Sequence, residues 1–428
     1  MTKFFKKSMI SIVVITLTIA VTTFCSFAAA EKTIKVLSAG GPEIDHLIAN
    51  MEKFEKLSGI KVVHDIVPRS ILNQRLMAEL IELKGNYDVV FNEGGTTWTT
   101  YVQKGEFIPI EDYLDKGVVE QLYARKGFTD PRTGKVAGIP QYHNFNMLFY
   151  RKDLFNDPKE KSAFKEKYGR ELTVPTTLDE LVDVAEFFHR PPEMYGYCIQ
   201  GMSHGSFVYR FIEFLLGMGE NVGDEDGNLT LNTPGAIKSL ETVVKLAKFF
   251  PPGWEAMNQF DVNELMLQGK IPIYSCFSYI WKDYIEKMPD KVGIAAPVGD
   301  VQSGLSISGF LALIPKNASN PEGAVEFLKW LSSYDYQKSF MLSVLGNFAT
   351  RSDVLEDPEV SEKIIGIDII KNAVAKANGG KIPNATWMPE MYEGLYNVFF
   401  DVFKGKKTAE EGLNWLQNVK FAGRRAIE

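Results

Sequence analysis

GIPQYHNFNMLFYRKDLF, residues 138–155, decides how this chain is read. Met147 to Tyr150 is a short apolar run with the length and composition of a strand buried on both faces. The residues that feed it, Gln141 to Asn146, carry Gln, Tyr, His, Asn, Phe and Asn. Hydrogen-bonding side chains entering a buried strand need partners, because leaving one unpaired costs about 1–3 kcal/mol. Why a buried strand is fed by so many of them is the question this stretch raises.

Upstream of this stretch, strand and helix signals alternate. Thr33 to Leu37 reads as a strand, Glu43 to Leu57 as an amphipathic helix stopped by Gly59, and Lys61 to Ile66 as a second strand. Ser70 to Leu83 is a second helical pattern and Asp88 to Phe91 a third strand. Strands separated by helices of this length predict a parallel α/β sheet. In open α/β sheets ligands sit beyond the carboxyl ends of the strands, which points to the loops Ser38 to Pro42 and Asn92 to Trp98. Immediately before the opening stretch, DPRTGKVAGIP (130–140) reads as a hairpin around Thr133-Gly134.

Downstream, Leu178 to His189 and Phe207 to Leu216 are helical, and DEDGNLTLNTP (224–234) is a second hairpin. Thr233 as N-cap with Pro234 starts a long helix, and Asn320-Pro321 repeats the signal before Glu322 to Leu331. Residues from roughly 360 to 420 are helical almost throughout. There is no repeat, low-complexity tract or flexible linker, so two domains would be joined by strands.

Lys3, Lys6 and Lys7, the apolar run Met9 to Val21 and the small Ala28-Ala29-Ala30 predict a secretory signal peptide cleaved after Ala30. The run is shorter than the ~20 residues of a spanning helix. Phe24 beside Cys25 argues against lipidation, so the expectation is export to a periplasm. Losing the three lysines moves the formal charge from −7 to −10, which disfavours nucleic acid and anionic lipid as partners. Cys198 and Cys276 would remain, either paired or as buried thiols.

Five histidines with no pair at i,i+4 give a metal site no support. No GxSxG, Walker A or GxGxxG is present, and Gly40-Gly41-Pro42 lacks the lysine and spacing of a phosphate loop. Glu93 and Glu111-Asp112 are carboxylates that a glycosidase could use, but such residues are far more often solvated surface. The expectation is a protein without catalytic residues, cofactor or metal.

KFEKLSGIKV (53–62), YDVVF (87–91), KGEFIPIEDYL (104–114), GKVAGIP (134–140), LFYRKDLF (148–155), QGKIPIYS (268–275), GAVEFLKWL (323–331) and GKKTAEEGL (405–413) occur in an order that resembles the extracellular solute-binding proteins of ABC importers, family 1. The resemblance is to the sugar-binding branch that includes the maltose binders, and it spans essentially the whole mature chain. It implies a two-lobe α/β periplasmic-binding-protein fold of type II, with the ligand cleft between lobes joined by hinge strands. Lobe 1 would be 31–141 plus 292–342, and lobe 2 would be 142–291 plus 343–428. It further implies a monomeric sugar or polyol receptor that closes about its hinge and delivers its cargo to the transmembrane subunits of an ABC permease.

On this resemblance Gln141 to Asn146 is the first crossing between lobes, and Asn144 falls where the maltose binders have a ligand-contacting Glu. Tyr279 and Tyr392 align with stacking tryptophans. Trp281 is a candidate for either cleft or core, and Trp387 could cover the cleft. Gly41 and Asn92 replace an Asp and a Trp of the maltose binders, which argues against a maltodextrin in the same pose. Glu93, Thr96, Thr97 and Trp98 could supply replacement contacts, as could His204 and Ser206 from the loop before a helix. Glu43, Glu93 and Glu390 leave a polyamine open, whereas a phosphorylated ligand would need Arg or Lys in cleft loops that look short of both. A secreted glycoside hydrolase is the alternative from a different class.

Overall fold

A computed structural model describes residues 32–82, 85–93, 105–130, 132–202, 204–224, 228–376 and 387–425. The signal-like segment lies outside them. Strand β1 (Lys32–Ala39) runs into helix α1 (Pro42–Ser58), strand β2 (Ile60–Val67), helix α2 (Arg69–Glu82) and strand β3 (Val89–Glu93). Pro42 at the first helical position and acidic Glu43 and Asp45 in the first turn favour the start of α1. Gly59 stops it with φ 68°, donating its N–H to Glu55 O. Each helix carries the chain back across the sheet, so β1 pairs β2 and β3 in parallel, as the alternation predicts.

Strands β4 (Phe107–Ile108) and β5 (Gly138–Pro140) follow, and the hairpin before β5 turns at Gly134 with φ 69°. Strand β6 (Asn144–Arg151) contains the opening stretch's apolar run, with Met147, Leu148 and Phe149 fully buried. Much later come β7 (Ile273–Phe277), β8 (Val292–Ala295), β9 (Ile307–Ser308) and β10 (Phe310–Pro315). The first sheet has the order β2-β1-β3-β10-β4, with β5 on β10, and β10 runs antiparallel to β3. In the second, β6 is flanked by β7 and β8 and also pairs β9, all antiparallel. Among the described residues no helix is long and apolar enough to cross a membrane.

Each sheet has its own core. Val36, Val90, Phe91, Leu313 and Leu328 fill the first; Met147, Phe207, Phe211, Tyr274, Val243 and Phe399 belong to the second. Full burial contributes about 1.5–3 kcal/mol per large apolar side chain, so each unit carries a substantial core of its own. The chain passes between them three times: at Gln141 to His143, at Gly309, and between Val344 and Phe348.

The return to the first unit was expected at residue 292. Instead β8 pairs β6, and Val292, Val298 and Leu305 join the second core, so the crossing comes at 309. The loop after β8 is held on the second unit by hydrogen bonds from Val301 N and Gln302 N to Gly217 O.

Candidate functional site

On the first unit, the site begins where α1 starts. A Cβ on Gly41 would lie 2.8 Å from both carboxylate oxygens of Glu43, so the glycine leaves that carboxylate room over the helix terminus. Glu43 is buried, and its Oε1 accepts from Arg69 Nη2 at 3.0 Å and from the Tyr142 hydroxyl at 3.5 Å. Burial pushes its carboxyl above the ordinary glutamate value, while its own backbone N–H and the nearby Arg69 charge pull it back. Arg69 opens α2 directly after Pro68, and its guanidinium lies 4.7 Å over the Phe310 ring. Tyr142, in the first crossing, stacks on Phe340 at 5.8 Å.

Asn144 is buried at the start of β6. Its Oδ1 stands 3.0 Å from Ser278 Oγ, which also lies 2.6 Å from Gly346 O and accepts from Phe145 N at 3.2 Å. One hydroxyl therefore ties β6, the end of β7 and the third crossing together.

The second unit supplies aromatic faces. Tyr209, Phe277, Tyr279 and Tyr392 are all half-buried. The Tyr209 ring meets Phe277 edge-on at 6.1 Å and Tyr392 at 6.3 Å. Burial raises the Tyr279 hydroxyl far above its ordinary value, and Cys276 beside it adds to this. The charge of Arg69 acts on the same hydroxyl in the opposite sense.

Most polar groups of the opening stretch are used by the protein itself. Gln141 donates to Glu43 O at 2.9 Å and accepts from Gln337 at its carbonyl. His143 is buried against Tyr123 and Phe128. Asn146 bonds Glu213, Gly304 O and Ser306, within a buried network that also holds Arg210 and Ser275. Of the stretch expected to line a cleft, the Tyr142 side chain reaches the Glu43 carboxylate and the Asn144 side chain reaches Ser278.

Two tryptophans lie elsewhere. Trp281 is core: the short 3₁₀ turn Ser278–Ile280 returns the chain against β6, and the indole stacks on Phe149 at 5.9 Å. Trp387 is buried on Phe421 at 5.2 Å, with Arg424 over its ring, where it anchors the helix Met388–Phe403. Asn92 is fully buried on β3, and neither of its amide atoms has a partner among the described residues. Trp98, Thr96 and Thr97 and the side chains of Glu93, His204 and Ser206 lie outside the described residues.

Sequence reasoning missed Arg69, Phe310, Phe277 and Tyr209, and with Arg69 the cation it found lacking. The rule that ligands sit beyond strand ends applied equally to β2, whose carboxyl end is Val67-Pro68-Arg69. Among the described residues no group of three His, Cys, Asp or Glu side chains could hold a metal. Cys198 and Cys276 are both free and buried. A separate groove, lined by Lys35, Asp65, Arg75, Glu79 and Tyr87, lies on the flank of α2; Glu79 there already accepts from Asn86.

The model of a family described as bacterial extracellular solute-binding protein matches residues 40–338. A binding protein of Brucella abortus is 27% identical over 295 residues, covering 66% of this chain and 67% of its own. The mannitol-binding protein of Pseudomonas aeruginosa is 23% identical over 284 residues, covering 64% of this chain and 62% of its own. Among solved structures, an ABC transporter solute-binding protein of Agrobacterium radiobacter K84 in complex with ribitol superposes with a TM-score of 0.73 at 23% identity, covering 90% of this chain and 97% of that one. One from Thermotoga lettingae bound with α-D-tagatose gives 0.73 at 22%, covering 90% and 98%. These likenesses establish the two-lobed α/β fold.

Proposed function

The chain belongs to the bacterial extracellular solute-binding proteins, and we propose that its solute is a sugar or polyol, held between the lobes and passed to an ABC permease. What supports this is the two kinds of side chain that the lobes supply. Glu43, Arg69 and Asn144 offer hydrogen-bonding groups, and the half-buried rings of Tyr209, Phe277, Tyr279 and Tyr392 offer apolar faces. A polyhydroxylated ligand needs both, since its hydroxyls sit at the edge and its C–H groups on the face. The ribitol and tagatose bound by the two structural relatives, and the mannitol in a sequence relative's name, support the same class.

In this reading lobe 1 is formed by residues 31–141 and 310–344 and lobe 2 by the remainder, and closure about the three crossings distinguishes loaded from empty receptor. The protein works as a monomer, performs no reaction, and acts outside the cytoplasmic membrane after loss of its signal peptide. Trp98, Glu93 and His204 remain candidate contacts beside the groups named above.

Thermal unfolding of the mature protein, after refolding to strip bound solute, tests this against mono- and disaccharides, polyols, amino acids and spermidine. A ligand at 100 times its Kd stabilises the native state by about 2.7 kcal/mol. A shift with a sugar or polyol that is lost in Tyr279→Ala supports the proposal. A shift with amino acids or spermidine alone contradicts it.

A further inference from the structure

The three crossings meet at two fully buried glutamines, Gln141 and Gln337. Gln141, in the first crossing, donates its backbone N–H to Phe310 O at 2.8 Å, directly after the second crossing at Gly309. Its side-chain amide donates to Glu43 O at 2.9 Å, in the first turn of α1. Gln337, on the first lobe's helix Tyr334–Ser343, donates to Gln141 O at 3.1 Å and to Leu331 O at 2.9 Å. Its Oε1 accepts from the Thr350 N–H at 2.8 Å and from the Thr350 hydroxyl at 3.2 Å, just beyond the third crossing. The Gln337 amide thus makes four hydrogen bonds, the full capacity of the group.

The crossings also hold one another. His143 and Phe348 exchange backbone hydrogen bonds at 2.8 and 2.9 Å, and a Cβ on Gly309 would lie 2.1 Å from Tyr142 O. At the second-lobe end this bundle is tied by Ser278, which accepts from Phe145 N and lies 2.6 Å from Gly346 O. At the first-lobe end it is tied by Gln337. Lobe closure needs a few residues to change their backbone dihedrals. A residue whose backbone groups are bonded to a packed helix resists that change, so the two ties confine the bend of the first crossing to Tyr142, His143 and Asn144.

We propose that Gln141 and Gln337 form a brace that fixes the first-lobe end of the hinge and joins it to the start of α1, which makes both of them positioning residues for lobe closure. This rests on the receptor reading above, in which the crossings are a hinge, and it names the residues that set the hinge's resting angle. Glu43 is tied through its own carbonyl to the strand that bends, so a solute that moves the start of α1 acts on the crossing through one hydrogen bond.

The test is double electron–electron resonance between nitroxides at Leu57→Cys and Phe260→Cys, exposed positions on opposite lobes. The native Cys198 and Cys276 are buried and escape labelling. Distances are recorded in this labelled background alone and with Gln141→Met, Gln337→Met or Ser239→Ala, first without solute and then with ribitol, D-mannitol or D-tagatose. Ser239→Ala removes a buried hydroxyl bonded to Gly235 O inside the second lobe and serves as the control. Without solute the parent should give one narrow distance. Each glutamine variant should broaden it, shifting the ratio of lobe arrangements by about fivefold or more, the size of one buried hydrogen bond. Ser239→Ala should lower the melting temperature and leave the distance unchanged. Gln141→Met keeps both backbone bonds of residue 141 and decides the matter alone if Gln337→Met does not fold.

Solute-free distances in the glutamine variants that match the parent, with melting temperatures lowered as in the control, would overturn the brace and leave the receptor reading standing. A parent distance that none of the three solutes moves would count against the receptor reading alone, since the brace is judged without solute.

Discussion

Ser278 Oγ stands 3.0 Å from Asn144 Oδ1, joining the end of β7 to the start of β6 at the point where the chain leaves one lobe for the other. The same oxygen accepts from Phe145 N and lies 2.6 Å from Gly346 O in the third crossing. Ser278→Ala leaves a buried N–H and a buried carbonyl without this partner. We expect a stability loss of about 1–3 kcal/mol and weaker sugar or polyol binding, because Asn144 is no longer held. Urea unfolding with and without ligand separates the two effects.

His143 lies in the first crossing, and burial pushes its imidazole down to about 4 from 6.5, against the pull of backbone groups of Tyr123 and Ser308. The folded value is depressed, so between pH 6.5 and 4 the unfolded chain binds more protons than the native one. Stability is therefore full above 6.5 and falls as pH drops towards 4, by about 3 kcal/mol at most for this group. Unfolding free energy measured across that window should fall less steeply in His143→Phe than in wild type. His64, also pushed down to about 4 by burial, leaves a residual slope in the variant.

Tyr279 and Trp281 are two residues apart and should behave oppositely. Trp281→Ala empties a core position against Phe149 and should cost about 3–5 kcal/mol. Tyr279→Ala, which removes a half-buried ring, should cost less stability without ligand than Trp281→Ala while abolishing the ligand-induced shift in melting temperature. The two melting curves, each recorded with and without ligand, check this.

Glu213 pairs with Arg210 and accepts from Asn146 and Ser275, all buried. Glu213→Ala strands a guanidinium in the interior, at a cost of about 3–5 kcal/mol. Replacing Arg210 and Glu213 together by Met and Leu should recover much of that loss. Denaturant midpoints of the single and double variants give the comparison.

The fold was legible because its determinants are local. The periodicity of Glu43 to Leu57, the stop at Gly59 and the caps Thr233-Pro234 and Asn320-Pro321 can be read within a few residues, and all appear as helix boundaries. The hinge was harder. Val292 to Ala295 is a short strand whose lobe is set by pairing with Leu148 to Arg151, which nothing local specifies.

The site was legible only in part for the same reason. Asn144 and Asn146 look alike on one strand, yet Asn146 meets Glu213, 67 residues away, and Asn144 meets Ser278, 134 away. The Gln141 side-chain N–H donates to Glu43 O, 98 residues away, and its backbone carbonyl accepts from Gln337, 196 residues away. Whether a polar side chain serves a neighbour or a ligand depends on such distant partners. Arg69 escaped notice because it reads as the residue before an ordinary helix starting at Ser70; only its approach to Glu43 and Phe310 gives it a role.

The most direct test of the account is native mass spectrometry of the refolded mature protein in one mixture of neutral sugars and polyols, sugar acids, amino acids and spermidine at equal concentrations. The account predicts a single adduct with the mass of a neutral sugar or polyol, lost in Tyr279→Ala and in Arg69→Met. An adduct of an acid or of spermidine, or a bare protein in the complete mixture, would contradict it.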